Sequence, residues 1–293
     1  MKSQSAMEYL MTYGWAILVI AVVLAALYSL GIFNPSTFAP KASAGSCEVV
    51  RPFGPTTTTD IHLEGTCTNM LPKYVASFDG SSIIYSNISE MPSGIQQRTA
   101  VVWFSDPNPS QNEDFLLSYG STDCITDGGR FFEINVGHDP NEMQINAWCT
   151  NQNIPYKISP NAWYFTAYAY NGTYQFGYLG ASGKIYSVNG KFNENVTHNL
   201  LYIGAREGIL GTGYGYANGM IANVQIYNEA LSESQIYALY QEGIGGDPID
   251  LQNLVAWYPL NGNANDYSGN DNNGKVLGTI DYSSTWYRTY SAP

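Results

Sequence analysis

The sequence has little charge, and most of the charge it has is negative. Only 12% of its 293 residues are Asp, Glu, Lys or Arg, and 24 acidic against 12 basic residues give a formal net charge of −12. Soluble domains usually carry about 25% charged residues. Because no cluster of Lys and Arg is available to neutralise phosphates, we expect no nucleic-acid partner.

Histidine and cysteine are scarce as well. The three histidines stand far apart in the sequence: His62, His138 and His198. This spacing argues against a histidine-based catalytic triad or metal cluster. The four cysteines have no C-x-x-C spacing, which argues against a zinc site. Tyrosine and glycine are abundant instead, with 24 and 29 copies, and this composition is typical of extracellular β-rich proteins.

One long uncharged segment stands near the start of the chain. Residues 15–33 read WAILVIAVVLAALYSLGIF, and Pro35 follows as a helix stop. At about 1.5 Å per residue this run is long enough for a helix that crosses a membrane. A cleaved secretory signal peptide is one alternative, although its apolar part is usually shorter, and a plain membrane anchor is another.

The residues before this run separate the alternatives. Residues 1–16 read MKSQSAMEYLMTYGWA. They resemble the class III signal peptide of archaeal type IV pilins. The resemblance implies that a prepilin peptidase cuts between Ser3 and Gln4, and that the helix stays on the mature protein. Glu8 then becomes the fifth mature residue, where the family carries a glutamate that meets the new α-amine of a neighbouring subunit.

This resemblance predicts residues 1–3 as a leader and 4–33 as a helix held in the membrane before assembly. Residues 34–73 follow as a linker with a Cys47/Cys67 hairpin region. If the helix places the rest of the chain outside the cell, disulfides are expected. Sequential pairing, Cys47–Cys67 and Cys124–Cys149, is our prediction, and buried free thiols are the alternative. Three sequons predict glycosylation at Asn87, Asn171 and Asn195.

The region from residue 74 to residue 226 alternates short apolar-aromatic runs with turn signals. Eight or more such runs at this spacing predict an antiparallel β-sandwich or jelly roll. One amphipathic helix follows at residues 231–240, with Ser232 as N-cap and Gly243 as its stop. The predicted fold is mainly β: a long N-terminal hydrophobic helix followed by a sandwich.

Residues 219–228 (GMIANVQIYN), followed by Leu231 and Ser232, resemble the closing strand and helix of laminin-G-like (concanavalin A-like) jelly rolls. Residues 74–80 and 100–104 resemble two early strands of the same module. The resemblance implies a jelly-roll domain at residues 74–293.

The segment from residue 254 onward stands out of order. Residues 254–270 (LVAWYPLNGNANDYSGN) resemble the opening of a laminin-G-like domain, yet they follow the closing helix. They either begin a truncated second domain or complete the existing one, and we favour completion. Residues 254–282 would then be a circularly permuted first strand within one chain, or a strand donated to a neighbouring subunit.

Two kinds of ligand follow from the second resemblance. Such modules often hold Ca²⁺ with loop aspartates, and Asp79, Asp266 and Asp271 lie in suitable loops. Turn formation is the alternative role for them, and no cofactor is expected to be required. Tyr214 and Tyr216, in a glycine-rich loop, are candidates for stacking on surface glycans, with subunit contact as their alternative role.

We therefore expect an extracellular archaeal pilin that packs its helix against copies of itself in a filament and displays the jelly roll for adhesion. The alternative is a surface lectin-like module that does not polymerise. A surface glycosidase comes third, because it needs two carboxylates in one cleft and FFEINV offers only Glu133. We accordingly predict that the protein is not an enzyme.

Overall fold

The computed structural model describes residues 4–30, 32–68, 70–109, 113–125, 128–137, 141–147, 151–197, 200–206 and 215–293. Residues 4–10, 12, 122–125 and 128 are described by their backbone. The chain divides into two compact units, residues 1–39 and residues 40–293.

The first unit is a helix, α1 (Gln4–Ser29), followed by a short 3-10 helix at Pro35–Thr37. Asn34 caps the 3-10 helix, since its Oδ1 accepts a hydrogen bond from the Ser36 N–H at 3.0 Å. Four consecutive side chains of α1, from Ile17 to Ile20, are 53–66% exposed. Four successive residues point in all directions around a helix, so α1 is apolar on every side.

Across the described residues, no helix reaches the combined length and hydropathy of a membrane span. The residues predicted for processing and assembly lie outside what the structure describes: Ser3 altogether, and Gln4 and Glu8 in their side chains. Those predictions stay predictions.

The second unit consists mainly of short strands. In chain order they are β1 (Lys41–Ala42), β2 (Cys47–Val50), β3 (His62–Gly65), β4 (Leu71–Pro72), β5 (Val75–Asp79), β6 (Ile83–Ser86), β7 (Arg98–Ser105), β8 (Asp114–Ile125), β9 (Gly128–Val136), β10 (Met143–Asn146), β11 (Asn151–Ile154), β12 (Trp163–Tyr170), β13 (Tyr174–Ala181), β14 (Lys184–Lys191), β15 (Leu201–Ile203), β16 (Asn218–Tyr227), β17 (Leu254–Tyr258), β18 (Lys275–Leu277) and β19 (Asp281–Ser283). The helix α2 (Glu233–Glu242) follows β16, and a 3-10 turn at Trp286–Arg288 follows β19.

Two antiparallel sheets form the sandwich. The seven-stranded sheet has the order β11-β10-β9-β8-β15-β6-β18. The eight-stranded sheet has the order β14-β13-β12-β7-β16-β5-β19, with β17 paired to β16. The predicted mainly β sandwich is therefore confirmed. Its core lies between the sheets and includes Phe104, Phe132, Ile134 and Tyr168, all buried.

The outer face of the eight-stranded sheet has a second apolar layer, which α2 and the C-terminal turn cover. Trp103 of β7 packs there against Tyr240 and Tyr290, with ring centroids 5.9 and 5.8 Å apart. The helix begins as predicted: Ser232 and Gln235 form a capping box, and Gly243 ends the helix with φ +79°.

The segment after α2 belongs to the same two sheets. β17 pairs with β16, β19 pairs with β5, and β18 pairs with β6. These pairings lie within one chain, which is one of the two forms of completion expected from the sequence. The interpretation as a circular permutation stays a prediction.

The predicted Cys47–Cys67 disulfide is confirmed. It joins the ends of the β2–β3 hairpin, where Cys47 is in register with Gly65. The second predicted pair lies outside the described residues, since Cys149 is not described and Cys124 is described only by its backbone.

Candidate functional site

One rim of the sandwich brings together acidic residues from different strands. Asp106 follows the last residue of β7, Asp114 is the first residue of β8, and Asn218 is the first residue of β16. Asn218 is in register with Asp79, the last residue of β5. We call Asp79, Asp106, Asp114, Tyr216 and Asn218 the rim site.

The two central carboxyls of the rim site are buried. Asp106 is 3% exposed and Asp114 is 4% exposed. Asp106 Oδ1 accepts a hydrogen bond from the Asn108 N–H at 2.6 Å. The two carboxyls lie within hydrogen-bonding reach of each other, and within the described part of the chain Asp106 Oδ2 and Asp114 Oδ1 accept no hydrogen bond from any other group. Burial of such groups without compensation is costly, so this pair needs a proton or a cation.

The pKa values of both carboxyls are raised. Burial, followed by the charge of Asp106, raises the pKa of Asp114 to about 8. Burial likewise raises the pKa of Asp106 above its ordinary value. Two close carboxyls in a dry setting cannot both ionise readily. Near neutral pH the pair therefore holds a proton unless a positive ion replaces it.

A cavity of about 10 Å³ lies beside this pair, lined also by Ser105, Asn218 and Gly219. A space of this order is just large enough for one water molecule or ion. The buried Ser105 Oγ is another oxygen with no partner among the described residues. A Cβ at Gly219 would clash with the Ser105 carbonyl, so the chain can run this close only as glycine. The available donors are hard oxygens, the ligand type that Ca²⁺ takes.

Two of the aspartates that the sequence suggested as calcium ligands, Asp79 and Asp266, accept hydrogen bonds from nearby residues of the chain. Asp79 Oδ1 accepts hydrogen bonds from the Ser81 N–H at 2.9 Å and the Ser82 hydroxyl at 2.7 Å. The Ser82 bond is the main reason that the pKa of Asp79 is lowered. Asp266 accepts from the backbone N–H groups of Trp257 and Asn272. These are turn contacts, the alternative role that the sequence left open.

The three aspartates do not converge. Over the described ranges, one group of three or more His, Cys, Asp or Glu side chains has its ligand atoms within 4.8 Å: Cys47, Cys67 and Asp247. Its two cysteines are joined in the disulfide, so they offer no thiolates. The expected set of Asp79, Asp266 and Asp271 is therefore not assembled as one site, and only Asp79 belongs to the rim.

Sequence reasoning missed Asp106 and Asp114. They are the two ends of a single polar stretch, DPNPSQNED, which directly follows the apolar run at residues 100–104. That position was a usable signal, since a loop that joins neighbouring strands can return its ends to one place. What the sequence could not show is that the ends meet below the surface.

An aromatic and apolar cluster continues from the rim over the seven-stranded sheet. Tyr216 is half-buried and packs against the cluster of Ile83, Phe115, Tyr202 and Ala205. Phe115 forms a parallel bridge with Tyr216, and the guanidinium carbon of Arg206 lies 4.4 Å from the Phe115 ring centroid. Tyr214, the other predicted glycan contact, lies outside the described residues.

Glu133 lies on the seven-stranded sheet within an amide network. Its Oε1 accepts hydrogen bonds from Asn135 Nδ2 at 2.6 Å and Asn146 Nδ2 at 3.2 Å. Glu133 is 0% exposed, and burial raises its pKa to about 8. A glycosidase needs its carboxyls open to a cleft, so this geometry does not favour Glu133 as a catalytic acid.

The three sequon asparagines, Asn87, Asn171 and Asn195, are all exposed. Asn171 Oδ1 accepts from the Thr173 and Tyr174 N–H groups at 3.0 and 2.8 Å, which shapes the β12–β13 turn. Their glycosylation stays a prediction.

Comparisons with known proteins agree with this architecture. A sequence profile of the Concanavalin A-like lectin/glucanases superfamily matches residues 81–237. A Bacteroides ovatus protein proposed to bind carbohydrate shares 15% identity and a TM-score of 0.56, over 76% of this chain and 66% of that one. This chain thus spans about two thirds of that relative. At this identity the likeness shows the fold alone. No curated protein sequence matches the chain.

Two further solved structures are more distant. The SAP-like pentraxin of Limulus polyphemus has 13% identity and a TM-score of 0.49, over 71% of this chain and 94% of the pentraxin. The CBM40 module of the Ruminococcus gnavus IT-sialidase, bound to α2,3-sialyllactose, has 17% identity and a TM-score of 0.40, over 57% of this chain and 94% of the module. Likenesses this distant carry no argument.

The profile covers more than half of the chain, and the matched residues include four of the five members of the rim site. The described sandwich has the two antiparallel sheets that such a match requires. The chain belongs to the Concanavalin A-like lectin/glucanases superfamily.

Proposed function

We propose that this protein is an extracellular carbohydrate-binding protein that holds a glycan at the rim site with the help of a calcium ion. The observation that carries the proposal is the buried Asp106–Asp114 pair, two adjacent carboxyls that form no ion pair with a cation among the described residues. A lectin-type sandwich with such a pair beside an aromatic residue is suited to binding rather than to turnover. The disulfide between Cys47 and Cys67 agrees with an oxidising compartment.

The residues that would hold calcium are Asp106 and Asp114, with the nearby Ser105 hydroxyl as a further oxygen. A divalent cation offsets the repulsion that raises the pKa of Asp114. When bound, the ion supplies a positive centre that sugar hydroxyls can approach. Tyr216, half-buried at the same rim, offers an aromatic surface for the apolar face of a sugar ring.

The test is calorimetric titration of metal-free protein with CaCl₂, followed by glycan-array binding with CaCl₂ and with EDTA. We expect a single calcium site and a calcium-dependent component of glycan binding, assigned to the rim site, that EDTA abolishes. Asp114→Asn should lower calcium affinity at least tenfold. The matched control is Asp60→Asn, at an exposed position whose φ of +55° suits asparagine. Calcium affinity equal in Asp114→Asn and wild type, or glycan binding that persists in EDTA at this site, would contradict the proposal.

A second function is favoured by α1. Its side chains from Ile17 to Ile20 are more than half exposed, so the described residues of its own unit leave this apolar surface uncovered. Such a surface is a liability in water unless copies of the helix bundle together. We propose that the protein also assembles into a filament through this helix, with the sandwich outside as the glycan-binding part.

Filament assembly makes two predictions that do not involve the rim site. The cell-surface protein should begin at Gln4, which N-terminal sequencing measures; an intact Met1 would contradict processing. Glu8→Ala should prevent filaments seen by electron microscopy while circular dichroism shows an unchanged sandwich. A normal yield of filaments from this variant would refute the role of Glu8.

A further inference from the structure

A second groove lies on the opposite side of the sandwich from the seven-stranded sheet. It occupies the outer face of the eight-stranded sheet, between the β13–β14 hairpin and the start of α2, and encloses about 350 Å³. Small-molecule sites typically enclose about 300–1,000 Å³, so the space suits one or two sugar rings. The rim site lies at other strand ends and shares no residue with this groove.

The floor of the groove is aromatic. Phe176 and Tyr178 of β13 point outward, and Phe176 is half-buried. Their neighbours on β12 are small, because Phe176 is in register with Ala169 and Tyr178 with Ala167. Tyr174 extends the aromatic row: it is 41% exposed and its ring centroid lies 6.3 Å from that of Phe176.

The walls of the groove are polar. Asn189 and Ser187 of the edge strand β14 are in register with Phe176 and Tyr178, and both are exposed. The opposite wall contains Ser232 and Glu233 at the start of α2. The Asn189 amide beside Phe176 and the Ser187 hydroxyl beside Tyr178 provide hydrogen-bond donors and acceptors at the edge of a flat apolar surface.

This combination fits the chemistry of a sugar. A pyranose ring has apolar C–H faces that pack on aromatic rings, and an edge of hydroxyls that hydrogen-bond to amides and hydroxyls. Of the described residues that line the groove, Glu233 alone is of a type charged at neutral pH, and its charge is negative. A negative wall repels uronic and sialic acids, so the ligand is expected to be uncharged.

We propose that this groove binds a neutral polysaccharide chain without a metal ion, as a second site independent of the rim. The proposal rests on the proposed function for the class of ligand, but not for the site or for calcium. Two sites on opposite sides of one domain would let the protein engage two glycan chains at once and raise its avidity.

The test is affinity electrophoresis of the full chain in EDTA, in gels that contain laminarin, mannan or xylan, with polygalacturonate as the anionic comparison. We expect retardation by at least one neutral polysaccharide and none by polygalacturonate. Phe176→Leu keeps an apolar side chain but removes the aromatic face, and should weaken retardation about threefold to tenfold. Asn189→Ala, at an exposed position, should weaken it without risk to folding.

The controls separate this site from the rim and from a structural effect. Phe53→Leu, at a 66% exposed phenylalanine outside the groove, should leave retardation in EDTA unchanged. EDTA removes the calcium on which the rim site depends, so binding that persists in EDTA belongs to the groove. No retardation of the wild type in EDTA, or equal retardation of wild type, Phe176→Leu and Asn189→Ala, would overturn the proposal. A change in oligomeric state with Phe176→Leu, without a change in retardation, would assign the groove to contacts between copies and also overturn it.

Discussion

Two of the places where the described sandwich buries carboxyl groups differ in the charges that surround them. Inside the sandwich, Glu194 is 0% exposed and its Oε2 lies 3.9 Å from Nε of the equally buried Arg98. At the rim, Asp106 and Asp114 are buried beside each other. Burial raises the pKa of Glu194 to about 7, and the charge of Arg98 opposes that rise. Burial raises the pKa of Asp114 to about 8, and here the neighbouring charge of Asp106 adds to the rise because it has the same sign.

The interior acid belongs to a network that ties strands together. The Tyr168 hydroxyl donates to Glu194 Oε1, and the Glu194 N–H donates to the Tyr170 hydroxyl at 3.1 Å. Arg98 donates to the carbonyl oxygens of Gln96 and Gly94 at 3.0 and 2.5 Å. The comparison teaches that burial alone does not mark a binding site. Glu194, which has Arg98 as a cationic neighbour in the same chain, belongs to the structural core. The Asp106–Asp114 pair has no such neighbour among the described residues, so it can bind a cation from solution.

The largest expected effect comes from removing the built-in cation. Arg98→Met leaves Glu194 without its compensating charge and should lower the free energy of unfolding by about 3–5 kcal/mol at pH 8. The loss should be smaller at pH 5, because Glu194 is then protonated in the folded state, where its pKa is about 7. Urea unfolding at the two pH values measures this.

The matched control is the double variant Arg98→Met/Glu194→Gln, which removes both charges. It should regain most of the stability at pH 8, since no buried charge is left uncompensated. An equal loss in Arg98→Met at pH 5 and pH 8 would show that the ion pair is not the reason for the instability.

Removing one carboxyl of the Asp106–Asp114 pair should raise the free energy of unfolding, whereas Arg98→Met lowers it. In EDTA at pH 8, Asp114→Asn removes one of two repelling carboxyls and should raise the free energy of unfolding by about 1–3 kcal/mol. In excess CaCl₂ this advantage of the variant should shrink, because calcium stabilises the wild type by about 2.7 kcal/mol at a hundredfold excess over Kd and binds the variant more weakly. Thermal unfolding with and without calcium measures both. A lower stability of Asp114→Asn in EDTA would mean that the pair stabilises the fold in the absence of an ion.

Much of the sandwich could be predicted from the sequence, because short apolar-aromatic runs alternate with turn signals along the chain. The start of α2 was readable for a similar reason, since the Ser232 cap and the Gly243 stop are local signals. The Cys47–Cys67 pairing was predictable because its two residues are near neighbours in the chain.

The candidate site was harder to predict. Tyr216 and Asp79 were identified, and both lie at the rim, but the Asp106–Asp114 pair depends on how two strand ends meet in three dimensions. The groove beside α2 depends on strand register, which sets Asn189 opposite Phe176 across β13 and β14. Neither the depth of burial nor the register of distant strands is encoded in a local pattern.

A third buried acid sharpens the comparison, because Glu133 accepts hydrogen bonds from two amides, while the charge of Arg206 lowers its pKa and that of Glu113 raises it. Its folded-state pKa of about 8 lies above its ordinary value of 4.5. The folded state therefore binds more protons than the unfolded state between these values. The stability that this group contributes is complete below about pH 4.5 and is lost as the pH rises through 8.

Glu133→Gln, which keeps an oxygen to accept from Asn135 and Asn146, should be nearly neutral for stability at pH 5 and stabilising at pH 9. The slope of stability against pH should become less negative by up to about 1.4 kcal/mol per pH unit between pH 5 and pH 8. Urea unfolding across this range measures it, and the Asp60→Asn variant serves as the control. An unchanged slope would mean that Glu133 is already ionised in the folded protein, and that two amides can stabilise a buried carboxylate as well as Arg98 stabilises Glu194.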